Sequence, residues 1–358
     1  MSDTGGRDLP RRAMTASGTA RSVVTIDLDA VRHNVRLLRE VVSPAAVWAV
    51  VKANAYGHGA VDIGRAALEA GAEALCVATA GEGVQLRAAL GPDARLLVLG
   101  PTGDDELRDA REARLELTAH ADGAVPTDVL VHLKLDTGMG RWGLSELLAP
   151  DRNVVGLMTH FASSEADPVF TRRQLDAFLT ATAPHPEVPR HAANSAAAIG
   201  FPDTRLDAVR CGIAIYGIDP YGNDAVHHGL RPALQWTSAV ARVTQLHAGQ
   251  STGYGRRFVA SEPTWIAQVP VGYADGFARS LTGTRVLVDE ELCEVIGTIS
   301  MDAMAVKLAA PCSPGTPVTL VGDGVTFEQH ARVAGTIAYE LACAVRAEST
   351  RTRRVVRA

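Results

Sequence analysis

Lysine is scarce in this chain, at three residues against 32 arginines in 358. One of the three, Lys52, closes the apolar run Val47-Trp48-Ala49-Val50-Val51. An ammonium at the end of a buried strand is poorly solvated, which lowers its pKa and makes the neutral amine a better nucleophile. Such a lysine is suited to a Schiff base with an aldehyde. The plainer reading is an arginine-rich genome and a lysine that snorkels out of a strand end.

Other polar residues fall at the ends of similar apolar runs. Tyr56 follows Lys52, Lys134 and Arg141 lie in and after a run from Val129, and His160 ends one from Val154. Asn194-Ser195 follow the run 189–193, and Arg210 with Gly212-Ile213 sits in the run 208–217. Singly, each is more often a satisfied structural residue, but their convergence on strand ends is hard to attribute to accident. Together they describe a site for a molecule with an aldehyde and a phosphate. Lys52 would take the aldehyde, while Ser195, Tyr56 and the N–H groups around Gly212-Ile213 hold the phosphate, with glycine permitting close backbone approach. Pyridoxal phosphate carries both groups.

The elements that must position these residues are eight strand-like runs, 48–53, 74–78, 95–100, 115–119, 129–138, 154–162, 189–193 and 208–217. Amphipathic stretches such as 60–70 and 170–182 separate them, which predicts parallel strands with crossover helices. Eight such units over 47–229 close into a (β/α)8 barrel, whose sites lie at the C-terminal strand ends. Two crossovers are thin, 120–128 and 141–153, where a parallel connection ordinarily takes about a dozen residues or more. One or two outer helices are therefore expected to shrink to turns.

From about residue 230 the pattern changes to strands at 235–246, 265–271, 284–289, 292–307 and 317–321, a helix at 327–345 and a last strand at 354–356. Residues 230–358 thus read as a separate, mainly β domain. The early strand 23–27, within a segment 23–46, is surplus to the eight and is expected to pair with that domain. Asp29 reads as the N-cap of a helix over 30–41. Residues 1–22, rich in Ser, Thr, Gly and Arg, read as a disordered tail.

A net charge of −5 and a pI near 6.1 provide no electrostatic footprint for nucleic acid. No run approaches the roughly 20 apolar residues of a membrane span, and no export signal is legible. The five cysteines are widely spaced and form no Cys-x-x-Cys pair, which argues against disulfides and against a metal site and fits a reducing cytoplasm.

The segment Val50-Val51-Lys52-Ala53-Asn54-Ala55-Tyr56-Gly57-His58-Gly59 resembles the cofactor-lysine signature of alanine racemases, pyridoxal-phosphate enzymes built as a barrel plus a β domain. The resemblance runs from about Val23 to Arg354 through seven further motifs in order. They are Lys134-Leu-Asp-Thr-Gly-Met-Gly-Arg141, Thr159-His160-Phe161, His191-Ala-Ala-Asn194-Ser195, Arg210-Cys-Gly212-Ile213, Gly253-Tyr254-Gly255-Arg256, Val271-Gly272-Tyr273-Ala274-Asp275-Gly276 and Ser300-Met301-Asp302.

Racemisation removes the α-proton from one face and returns it to the other, so it needs two bases. The resemblance implies Lys52 and Tyr254, the latter reaching the barrel of a partner subunit in a homodimer with shared sites. A phenol ordinarily titrates near 10, so Arg210 and His160 are implied to favour its phenolate. Arg210 is also implied to face the pyridine nitrogen, and a guanidinium does not readily give up its proton. That limits electron flow into the ring and favours proton return over transamination. Arg141, Met301 and Asp302 match the substrate-binding residues, Tyr273 matches a gate tyrosine, and Lys134 matches a position carbamylated in many members. The implied activity is L-/D-alanine interconversion supplying D-alanine for peptidoglycan, in the cytoplasm.

Three departures from the family pattern stand out. A phosphate-contacting tyrosine near the C-terminus is missing, with Thr350-Arg351-Thr352-Arg353-Arg354 in its segment after a small insertion at 346–349. The crossovers flanking Lys134 and Arg141 are short. Trp142 replaces a smaller aliphatic residue. Serine or another small amino acid is the alternative substrate, and a pyridoxal-phosphate-binding pseudo-racemase is the alternative without catalysis. A basic amino-acid decarboxylase would carry a cysteine where this chain has Tyr254, and a barrel-only cofactor carrier would lack the β domain.

Overall fold

The computed structural model describes residues 20–120, 126–322 and 324–358. The first strand, β1 (Ser22–Asp27), leads straight into a helix, Leu28–Val42, whose apolar stripe of Val31, Val35, Leu38 and Val42 is buried. The N-cap is Asp27, not Asp29: its Oδ1 accepts from Ala30 N at 3.0 Å. Asp29 lies in the first turn and pairs with Arg32 at 3.0 Å, where a negative charge complements the helix dipole. The expected tail, 1–22, falls on residues outside the described ones up to 19. Ser22 is already strand, its Oγ 3.1 Å from Thr352 Oγ1.

Eight parallel strands follow: β2 (Ala46–Val50), β3 (Ala74–Val77), β4 (Leu96–Val98), β5 (Leu117–Ala119), β6 (Val131–Lys134), β7 (Val154–Met158), β8 (Arg190–His191) and β9 (Ala208–Cys211). They are ordered β4-β3-β2-β9-β8-β7-β6-β5. The ring closes between its ends, where Val98 N donates to Glu116 O and Glu116 N to Leu96 O, each at 2.8 Å. This is the expected (β/α)8-type barrel. Its strands are nearly continuous apolar runs because both faces are covered. Helices 60–69, 80–90, 104–112 and 168–182 fill the longer crossovers. Among the described residues no helix joins β5 to β6 or β6 to β7. The second connection is spent on a turn around Asp136, whose carboxylate accepts from the N–H groups of Gly138, Met139 and Gly140.

The remaining strands form a mainly β unit. Those of its large sheet are β10 (Leu234–Ala239), β11 (Arg242–Leu246), β14 (Thr264–Val269), β15 (Arg285–Val288), β16 (Glu291–Ile296), β17 (Met304–Leu308), β18 (Pro317–Val321) and β19 (Thr352–Arg357). The short pair β12 (Ser251–Thr252) and β13 (Phe258–Val259) stands apart. The large sheet runs β11-β14-β17-β16-β15-β18-β10-β1-β19. Strand β1 lies antiparallel to β10 and parallel to β19, covering what would otherwise be exposed strand edges.

Two expected strands are each two. The run 235–246 divides into β10 and β11, which occupy distant places in the sheet. The run 292–307 divides into β16 and β17 around a loop that opens with Gly297 at φ 68° and carries Met301-Asp302. The expected helix 327–345 is likewise two, Phe327–Ala334 and Ala338–Ala344, broken where Gly335 takes φ 68° and caps the first. Apolar periodicity does not register such breaks.

Burial holds the imidazoles of His58, His132, His160, His191 and His330 below their ordinary value, His58 to about 4. These rings stay neutral in the fold but protonate in the unfolded chain, so the unfolded state binds more protons as pH falls from about 6.5 to about 4. Stability is complete above that window and lost through it, with His58 alone costing about 3 kcal/mol at its lower end. Urea midpoints should therefore fall between pH 7.5 and 5. An unchanged midpoint would contradict this.

Candidate active site

Lys52 sits where β2 ends, at the start of an unusual turn. Ala53, Asn54, Ala55 and Tyr56 all have φ between 51° and 53°, a full turn of left-handed helix in non-glycine residues. Each costs roughly 1–2 kcal/mol, so surrounding contacts must hold the turn. Ala53 N donates to Glu82 Oε1 at 2.7 Å, Ala60 N to Asn54 Oδ1 at 2.9 Å and Gly59 N to Asn54 O at 2.9 Å. From the β unit, Arg354 clamps the chain just beyond the turn, donating to His58 O and pairing with Asp62, both at 2.8 Å. Strain concentrated here is what a site that must aim a lysine and a tyrosine would carry.

The turn brings Tyr56 back against the end of β9. Its ring lies 4.9 Å from Tyr216 and 6.1 Å from Tyr339. Gly212 faces it, and a methyl there would come within 2.5 Å of Tyr56 Oη. Gly212 N and Ala214 N both point at Ser195 Oγ, at 3.0 and 3.4 Å, and Ile213 opens the short turn Ile213–Tyr216. Ser195 begins a helix that Asn194 caps through a bond from Ala197 N at 3.0 Å. Two hydroxyls and two backbone N–H groups thus gather at the ends of β2 and β9, the donor set of a phosphate-sized anion site.

Four cations gather at this end of the barrel. Burial, then Arg141, lowers Lys52; burial, then Arg141, Arg210 and Lys52, lowers Lys134 to about 8. Glu82 and Asp136, the acidic residues nearest by, already serve backbone N–H groups. Arg141 lies with its guanidinium 5.0 Å over the Trp142 ring, and Lys134 Nζ is 5.9 Å from the same ring. An indole face thereby attracts two cations that would otherwise only repel each other. Arg210 is buried, and burial lowers it to about 10. It donates to His191 Nδ1 at 2.6 Å, His191 O at 2.8 Å and Thr159 O at 2.7 Å, with His160 Nδ1 3.4 Å away.

The β-unit residues stand apart from this cluster within one chain. Tyr254 is 73% exposed on the turn between β12 and β13, and Met301 and Tyr273 are exposed as well. The loops of Tyr273 and Met301 are bonded together, Tyr273 N to Ser300 O and Ala274 N to Met301 O, each at 3.1 Å. Asp302 is tied up by Arg351 at 2.6 Å and by Arg21 at 3.6 Å. Arg210 and His160, expected to act on Tyr254, are adjacent to each other, whereas Tyr254 belongs to a different surface of the same chain.

The alanine racemase N-terminal domain matches residues 26–220 and its C-terminal domain residues 233–355. The chain belongs to the alanine racemase family. It is 38% identical over 352 residues to the alanine racemase of Levilactobacillus brevis, covering 89% of this chain and 94% of that one. It is 37% identical over 353 residues to that of Lactiplantibacillus plantarum, with the same coverage. Among solved structures, alanine racemase from D-cycloserine-producing Streptomyces lavendulae superposes with a TM-score of 0.85 at 34% identity, over 95% of this chain and 97% of that one. That from E. faecalis superposes with 0.85 at 33%, over 96% and 100%. The chain is therefore an amino-acid racemase by family, an isomerase.

Membership in this family makes the residues that the motifs did not single out more informative. Glu116 and His132 join His191 behind Arg210, and Glu82 secures the Lys52 turn. Tyr339 lies beside Tyr56. Only His132 had a legible signal, two residues before Lys134 in the same strand. Among the described residues no helix is long and apolar enough to cross a membrane, and no group of three or more His, Cys, Asp or Glu is arranged to hold a metal.

Proposed function

We propose that this chain is a pyridoxal-phosphate racemase that interconverts L- and D-alanine, works as a homodimer with shared sites, and supplies D-alanine for the cell wall from the cytoplasm. The observation that carries the cofactor is the cradle next to the lysine: the absence of a side chain at Gly212 leaves room for Tyr56 Oη, and four cations nearby suit a phosphate and a carboxylate together. When bound, pyridoxal phosphate supplies the electron sink that makes the Cα proton of an amino acid acidic. Ser195 Oγ, Tyr56 Oη and the N–H groups of Gly212 and Ile213 hold its phosphate, and Lys52 Nζ anchors its aldehyde end. Arg210 faces its ring nitrogen as a donor, with His160 beside that guanidinium.

Arg141 and the Met301 N–H bind the substrate carboxylate, with Trp142 steadying Arg141 and Asp302 holding the Met301 loop through Arg351. Tyr273 and Tyr254 narrow the entrance toward small side chains. Lys52 Nζ takes or returns the Cα proton on one face and the partner subunit's Tyr254 Oη on the other. Lys134 is a candidate for carbamylation, since an amine held near 8 is partly neutral at physiological pH.

Gly212→Ala is expected to weaken pyridoxal phosphate binding roughly 10–100-fold while the fold survives, as read by cofactor titration. Wild-type affinity in that variant would remove the cradle from the site. The activity itself is tested by racemisation rates for alanine, serine and larger amino acids in deuterated water. Alanine should be the best substrate and gain deuterium at Cα. A preference for serine would replace the substrate, and cofactor binding without deuterium incorporation would leave a binder rather than an enzyme.

A further inference from the structure

A chain of polar side chains crosses the interior of the barrel behind Arg210. Arg210 Nη1 lies 2.6 Å from His191 Nδ1, His191 Nε2 lies 2.8 Å from His132 Nδ1, and His132 Nε2 lies 2.8 Å from Glu116 Oε2. Arg95 Nε closes the far end on Glu116 Oε1 at 2.7 Å. The four relay groups come from four places on the barrel wall: β9, β8, β6 and the residue before β5. The space for them is built in. Gly156 of β7 leaves the room that the His132 ring occupies, and Trp48 of β2 packs against both imidazoles, at 4.5 Å from His191 and 5.6 Å from His132.

The two ends fix every proton between them. A guanidinium only donates and an ionised carboxylate only accepts. His191 must then accept at Nδ1 and carry its proton on Nε2; His132 must accept at Nδ1 and carry its proton on Nε2. We propose that Glu116 is a positioning residue for Arg210, acting through His132 and His191 by holding both rings in the Nε2–H tautomer. This rests on the reading of Arg210 as the neighbour of the cofactor ring nitrogen.

Without an acceptor at Glu116 the relay can reverse. His132 is then free to protonate on Nδ1, which puts the His191 proton on its own Nδ1, directly facing an Arg210 N–H. Donor would meet donor, and the guanidinium would leave the orientation that three backbone carbonyls and two imidazoles now define. Among the described residues none of the polar partners of Arg210 is itself a carboxylate, so Glu116 is the acid to which it is linked through this relay.

The test is nitrogen NMR of the cofactor-loaded enzyme labelled at histidine, with Glu116→Gln and Glu116→Leu. In the wild type both rings should be neutral with the proton on Nε2. Glu116→Gln, whose amide oxygen still accepts, should keep that pattern and most activity. Glu116→Leu should move the His191 proton to Nδ1, alter the absorbance of the bound cofactor and lower kcat about 10–100-fold with little change in KM.

A proton on Nδ1 of either ring in the wild type overturns the proposal, and so does a Leu variant with wild-type tautomers and kcat. A Gln variant as impaired as the Leu variant also overturns it. Should the Leu variant fail to fold, the wild-type and Gln spectra still decide. Lack of racemisation in the wild type would fail the functional reading and leave the tautomers to be read. Nδ1 protons in an active enzyme would fail the relay alone.

Discussion

Replacing Lys52 with alanine is expected to abolish racemisation, by about four orders of magnitude or more, and to remove the absorbance of lysine-bound pyridoxal phosphate. Two proposed roles are lost at once, because the same Nζ is proposed both to anchor the cofactor and to handle the proton on one face. The structure makes this lysine hard to replace. It stands at the end of β2 ahead of four consecutive left-handed residues, which no neighbouring lysine shares, and burial together with Arg141 lowers its pKa. Lys134, the other lysine in the cluster, belongs to β6 and lies over Trp142. Borohydride reduction followed by peptide mass analysis should label Lys52 alone. Racemisation surviving in Lys52→Ala, or a label on Lys134, would refute the assignment.

The second large effect separates binding from catalysis. Tyr254→Phe should keep the cofactor absorbance and lose about 10²–10⁴-fold in racemisation, since only one of the two proposed proton-handling groups is gone. Because Tyr254 is 73% exposed among residues of the β unit alone, the two inactive variants should complement each other if sites are shared in a dimer. A mixed dimer of Lys52→Ala and Tyr254→Phe holds one site with both defects and one with none. Random mixing makes half the dimers mixed, so about a quarter of wild-type activity should return. No recovery after verified subunit exchange would place both bases in one chain and overturn the shared site.

Much of the fold was legible because a parallel barrel writes itself as evenly spaced apolar runs. All eight runs appear as β2 to β9, and the two thin crossovers carry no helix among the described residues. The structure departs from the apolar pattern where one residue redirects the backbone. Gly297 and Gly335 interrupt runs that hydropathy alone reads as continuous, and the N-cap moved from Asp29 to Asp27 because strand and helix adjoin without a linker. The turn at Ala53–Tyr56 was not legible at all, since alanine carries no mark for a left-handed conformation that Glu82 holds from a distant helix.

By itself the sequence determined the chemistry: a desolvated lysine, a glycine beside a serine, paired basic residues and the ordered motifs that carry the family. Those are local properties, fixed by residue type and short spacing. Only the tertiary structure decided which of these groups meet. Closure of the barrel brings Glu116, His132, His191 and Arg210 into one hydrogen-bonded line, although 94 positions separate its ends in the chain. It also sets Tyr254 on an exposed turn of the β unit, away from the lysine it is proposed to serve. Contacts of that range depend on how strands register around a closed ring, which no short stretch of residues encodes.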